Sequence, residues 1–151
     1  MSAIQNKTTT QAANESFIPT MRELARAYQA FSAYSEAHVR QFDLTPAQFD
    51  VIASLGNTNG MSMGDLGEKT LITKGTLTGV IDRLIQKQLV ARETPPDNRR
   101  SVIVQLTAKG QEIFEQVFPA HIAHIKERFE KIEPSELELL KVLLSRLRQA
   151  F

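Results

Sequence analysis

The side chains whose types and spacing could do chemistry in this sequence are hydrogen-bond donors and cations, not nucleophiles. Thr73, Lys74, Thr76, Thr78 and Arg83 lie close together, and these residue types contact phosphates and base edges. Leu77, Val80, Ile81 and Leu84 recur at the i, i+3, i+4, i+7 spacing within the same stretch, which predicts a helix with one apolar face. Gly75, Thr76, Gly79, Asp82, Arg83 and Gln86 then share the opposite face. A glycine on an exposed helix face costs about 1 kcal/mol against alanine. That cost makes sense where a bulky partner must approach the backbone closely. The competing reading is an ordinary amphipathic helix whose polar side is only solvated.

The residues that follow favour the first reading. Arg92, Arg99 and Arg100 lie on or beside a loop that Pro95-Pro96 stiffens and Asp97-Asn98 turns. Val102, Val104 and Leu106 alternate with Ile103, Gln105 and Thr107, which predicts a strand, although Ile103 spoils the pattern. A helix followed at once by a basic-tipped hairpin is the layout of a winged helix-turn-helix. Its helix enters the major groove and its wing reaches the flanking backbone or minor groove.

At these residues the chain resembles the MarR family (multiple-antibiotic-resistance regulators). The resemblance is carried by Asp97-x-Arg99-Arg100, then Leu106-Thr107-x-Lys109-Gly110, preceded by Thr76-x-Thr78-Gly79-x-x-Asp82-Arg83-Leu84 and Leu89-Val90-x-Arg92. It extends over about residues 17–151. The chain departs at Gln88, where the family often has glycine; a left-handed backbone there would strain a glutamine. The resemblance implies a mainly α fold with a small β-hairpin wing. A winged helix-turn-helix lobe over residues 45–106 would be joined to dimerisation helices over residues 16–44 and 107–151, behind a mobile tail at residues 1–15. It also implies a homodimeric transcriptional regulator of repressor type on an inverted-repeat operator in double-stranded DNA. Thr73, Lys74, Gly75, Thr76, Thr78, Gly79, Arg83, Arg92, Asp97, Arg99 and Arg100 would form the DNA surface, with Asp97 orienting Arg99. Relatives often bind aromatic carboxylates between the dimer helices and the DNA-binding lobe. Tyr28, Phe31, Tyr34, His38, Arg40, Phe42 and Phe49 occupy the corresponding region, and an aromatic wall with a cation suits an aromatic acid. An aromatic stripe that is only core is the plainer alternative.

Composition sets the bounds. The 151 residues suit one domain, and 42% apolar residues suffice for a core. The absence of cysteine excludes disulfides, a thiolate metal site and a cysteine redox switch. No apolar run approaches a membrane span and the polar N-terminus is no signal peptide, so a soluble cytoplasmic protein is expected. The net charge is only +1, yet residues 72–110 hold seven Lys/Arg against three acids. The positive charge is concentrated where contacts are expected.

The positioning elements follow in order. Residues 1–15 are polar and aperiodic. From Phe17 a long helix carries Met21, Leu24, Tyr28, Phe31, Ser35 and His38 on one stripe. Thr45-Pro46-Ala47-Gln48 reads as a capped helix start, and Ser62-x-x-Asp65 as a second. Thr107 caps a helix expected to reach about Ile132, which Pro119 should kink or interrupt. Leu137, Leu140, Leu144, Leu147 and Phe151 alternate spacings of three and four, a coiled-coil-type seam that predicts the dimer interface. Leu139 and Leu143 add apolar surface beyond one face.

His38, His121 and His124 raise the question of a metal, but no Cys, Asp or Glu completes a ligand sphere in the sequence, so none is expected. No triad, phosphate loop or paired carboxylate is evident, so neither an enzyme nor a cofactor is expected. Two other classes stay open. An architectural DNA binder would show little sequence discrimination, and a winged-helix protein-interaction module would show no salt-dependent affinity for DNA.

Overall fold

The computed structural model describes residues 8–70, 72–97 and 101–151. Its elements run α1 (Thr9–Ala13), α2 (Ile18–Val39), a 3-10 turn (Arg40–Phe42), α3 (Pro46–Leu55), β1 (Met61–Ser62), α4 (Met63–Thr70), α5 (Lys74–Gln86), β2 (Val90–Glu93), β3 (Ile103–Leu106), α6 (Ala108–Phe129) and α7 (Pro134–Gln149). The fold is mainly α with a small antiparallel sheet of order β1-β3-β2. It divides into two units, Met1–Ser35 and Glu36–Phe151. No helix among the described residues is long and apolar enough to cross a membrane.

In the first unit, the stretch read from sequence as an aperiodic tail forms α1. The Thr8 hydroxyl accepts from the Gln11 amide at 3.2 Å, and the Gln11 side chain accepts from the Thr8 amide at 3.0 Å. That reciprocal cap is legible as Thr8-x-x-Gln11, but no apolar run follows to draw attention to it. Along α2, Met21, Leu24, Tyr28 and Phe31 are all exposed.

The second unit holds the core. Leu77, Val80, Ile81 and Leu84 of α5 meet Val51, Ile52 and Leu55 of α3, Leu66 of α4, Val90 and Val104 of the sheet, and Phe114 and Val117 of α6. Thr45 and Gln48 form the expected capping box at α3. Ser62 accepts from the Asp65 amide at 3.1 Å to start α4. The strand β1, two residues pairing Met61 with Val104 and Ser62 with Ile103, escaped the sequence reading because it is too short to show alternation.

The end of α5 is closed by backbone bonds. The Gln88 amide donates to the Ile85 carbonyl and the Leu89 amide to the Leu84 carbonyl, both at 2.9 Å. This is the Schellman arrangement, with its left-handed residue at Gln88, φ 63°. The glutamine therefore carries the strain expected from the sequence. Beyond it, Thr107 donates from its hydroxyl to the Gln88 carbonyl at 2.6 Å, and its hydroxyl accepts from the Gly110 amide at 3.0 Å to cap α6.

Pro119 does not interrupt α6, which runs unbroken from Ala108 to Phe129. Of the kink or interruption expected at Pro119, the interruption is corrected, and the expected end near Ile132 moves back to Phe129. The missing proline amide would have bonded the carbonyl of Glu115, and both residues are exposed, so water can serve that carbonyl.

Gln88→Gly should raise stability by about 0.5–1 kcal/mol in denaturant unfolding, by removing a side chain from a left-handed position. Gly110→Ala should lower stability by roughly 2–4 kcal/mol, because a Cβ there would collide with the Leu89 carbonyl oxygen. A neutral result for both would mean the α5–β2 turn is looser than described.

Candidate nucleic-acid interface

Helix α5 buries one face completely and presents the other. Leu77, Val80, Ile81 and Leu84 are at most 9% exposed, while Thr73, Lys74, Gly75, Thr76, Thr78, Gly79, Asp82, Arg83 and Gln86 are all exposed. A Cβ built on Gly75 or Gly79 meets nothing within 4 Å. Neither glycine is needed by the packing of the chain itself.

The turn into α5 is short. The Thr70 hydroxyl donates to the Leu66 carbonyl at 2.7 Å and accepts from the Ile72 amide at 3.3 Å. At the start of the helix, the Thr73 hydroxyl donates to the Thr76 hydroxyl at 3.1 Å. The Thr78 hydroxyl donates to the Lys74 carbonyl at 3.3 Å and keeps acceptor capacity. Thr73, Lys74, Thr76, Thr78 and Arg83 are thus all exposed, at the start of α5 or along it.

Charge is arranged by pairing as well as position. Arg92 on β2 reaches Asp82 on α5 at 2.7 Å, tying the wing strand to the helix. Arg92, expected as a DNA contact, therefore has a partner within the chain. The Lys87 ammonium donates to the Gln48 side chain at 3.1 Å and to the Asp43 carbonyl, fixing the end of α5 to the start of α3. Lys109 reaches the Lys87 carbonyl at 3.2 Å. These clasping roles of Asp43, Gln48, Lys87 and Lys109 were not visible in the sequence, since they join residues distant along the chain. Asp97 is exposed in the loop after β2, whereas Arg99 and Arg100 lie outside the described residues.

The expected ligand residues divide. Tyr28, Phe31 and Tyr34 belong to the first unit, and His38, Arg40, Phe42 and Phe49 to the second. In the second unit, His38 stands edge-on to Phe42 at 5.2 Å between ring centroids, and Phe49 stands edge-on to His121 at 4.6 Å. Arg40 pairs with Glu36. It lines a small polar cleft of about 140 Å³ with Asp43, Leu44, Thr45, Gln48 and Lys87, apart from those aromatic rings. Among the described residues no group of three metal-ligating side chains is placed to hold an ion.

The seam on α7 lies open. Leu140 and Leu144 are each 45% exposed, Phe151 is fully exposed, and no residue of α7 is buried. Leu137 and Leu147 are half-buried.

The MarR family profile matches residues 44–102, which hold the elements from α3 to β2. The chain is 32% identical over 124 residues to the HTH-type transcriptional regulator MhqR of Bacillus subtilis, covering 82% of this chain and 86% of that protein. This chain belongs to the MarR family. It is a winged-helix transcriptional regulator in class. A mutant MarR of Escherichia coli, solved in complex with operator DNA, superposes with a TM-score of 0.78 at 27% identity, covering 89% of this chain and 99% of that one. BpsR of Bordetella bronchiseptica, whose DNA binding is regulated by 6-hydroxynicotinic acid, superposes with a TM-score of 0.76 at 31% identity, covering 86% of this chain and 98% of that one.

Arg92→Ala should cost less than about 1 kcal/mol of stability, because its pair with Asp82 is partly exposed and screened. It should nevertheless speed amide exchange across residues 90–93. A loss of several kcal/mol would show that the pair holds the fold rather than the orientation of the wing.

Proposed function

We propose that this MarR-family regulator is a sequence-specific repressor that binds a pseudo-palindromic operator as a homodimer in the cytoplasm. The observation that carries the reading is the outer face of α5, where Gly75 and Gly79 leave open space between threonine hydroxyls and the cations Lys74 and Arg83. An exposed face that gives up about 1 kcal/mol per glycine suits a surface built for close approach to a duplex. Thr73, Thr76 and Thr78 would meet base edges and nearby phosphates, Arg83 a phosphate, and Arg99 and Arg100 the backbone beside the wing. The MarR structure bound to operator DNA supports the docking mode.

The second copy would cover the apolar surfaces of the terminal helices. Leu137, Leu140, Leu144, Leu147 and Phe151 supply the seam, with Leu139 and Leu143 beside it. A dimer places two recognition helices about one turn of DNA apart and doubles the local positive field.

An aromatic acid is the effector class we favour, with His38, Phe42 and Phe49 of the second unit as candidate contacts. Regulation of BpsR by 6-hydroxynicotinic acid supports that class. Such an effector releases DNA only by binding one dimer geometry more tightly than the other.

Selection of the purified protein against a random duplex pool at two salt concentrations tests the reading. An enriched inverted repeat, with affinity falling steeply as salt rises, is expected. Salt-dependent binding without an enriched sequence would replace the regulator with an architectural protein. Operator affinity unchanged across a panel of aromatic acids would remove the effector.

A further inference from the structure

Three imidazoles converge in the second unit although they come from separate parts of the chain. The Nδ1 of His38, in the last turn of α2, lies 2.9 Å from the Nδ1 of His121 on α6. The His38 ring also stacks on His124, with centroids 4.1 Å apart and planes within 11°. Phe42 from the 3-10 turn and Phe49 from α3 stand edge-on to His38 and His121. His121 is only 4% exposed.

The geometry has one chemical consequence. Two facing Nδ1 atoms at hydrogen-bond distance have room for a single proton between them, so one ring donates and the other accepts. Protonating both breaks that bond and sets two like charges face to face in a largely apolar setting. The His38 and His124 rings stack face to face and do not aim their nitrogens at a common point, and among the described residues no group of three ligating side chains is placed to hold a metal ion.

We propose that His38 and His121, with His124 stacked on His38, form a proton-sensitive latch, which holds the last turn of α2 against α6 while the two facing rings share one proton and releases it when both of them are protonated. Burial lowers the affinity of His38 for protons, and the charge of His124 lowers it further. Burial does the same for His121, with His38 and His124 adding to it. The sign follows. Folded-state values below the ordinary 6.5 give stability that is complete above that value and lost as pH falls beneath it.

The charged groups near the latch act differently. Glu36 and Arg40, two residues either side of His38, pair with each other. Glu127, one turn beyond His124 on α6, is exposed, and Lys126 pairs with Glu130. Asp50, next to Phe49 on α3, has its carboxyl pushed up by burial, which favours the folded state as pH falls. Its contribution is opposite in sign, so it cannot imitate the latch. Because α2 is one helix from Ile18 to Val39, release of its last turn would act on a long element. The inference does not rest on the reading of α5.

The test uses the full chain between about pH 8 and pH 5, where histidines titrate. Imidazole NMR of the unaltered protein should show the His38 and His121 rings titrating below 6.5 and as a coupled pair. Amide exchange over residues 36–42 and 117–124 should rise several-fold more than elsewhere as they do. The unfolding midpoint should fall with pH, and His38→Gln should remove most of that dependence. Independent titration of the rings at or above the ordinary value would overturn the latch. So would an unchanged pH slope in His38→Gln, and the NMR arm decides even where a variant fails to fold.

Discussion

Burial of the Leu77, Val80, Ile81 and Leu84 face is the constraint on which the rest depends. Those four side chains sit at the centre of the second unit, against α3, α4, the sheet and α6. A helix anchored so completely on one side cannot rotate without exposing that face, so its other side is fixed outward. At roughly 1.5–3 kcal/mol for each fully buried aliphatic side chain, the anchor outweighs the helical cost of the two outward glycines. The outward face of α5 is thus a by-product of packing, and its chemistry can vary without disturbing the core.

The turn after α5 carries that constraint to the wing. Residues 87–89 are held by the Schellman bonds, by the Thr107 hydroxyl on the Gln88 carbonyl and by the Thr107 amide on the Leu89 carbonyl at 3.1 Å. Gly110 brings α6 so close to Leu89 that no side chain fits between them. The Arg92–Asp82 pair then joins the wing strand back to the helix it flanks. The end of α5, strand β2 and the start of α6 are therefore tied together by these contacts.

Most of this architecture was legible because its signals are local. The apolar spacing of α5, the Thr45 box, the Thr107 cap and the strain at Gln88 follow from residues within a few positions of one another. The strand β1 has too few residues to declare itself, and α1 was passed over because its cap leads into no apolar face. The interruption expected at Pro119 does not form, and the Glu115 carbonyl that the proline leaves without a donor is on an exposed residue that water can serve. The Lys87 clasp and the meeting of His38 with His121 were illegible for another reason. They join residues 39 and 83 positions apart, and no periodicity records such a contact.

The most direct test of the central claim is a comparison of Gly79→Ala with the unaltered protein, in unfolding and in affinity for the duplex it selects. Open space around Gly79 lets alanine enter the folded chain without a clash, so stability should rise by about 1 kcal/mol. Affinity should fall about tenfold or more, some 1.4 kcal/mol, if the added methyl group stands where DNA must approach. Greater stability with unchanged affinity would contradict the account, since the glycine face would then serve no partner.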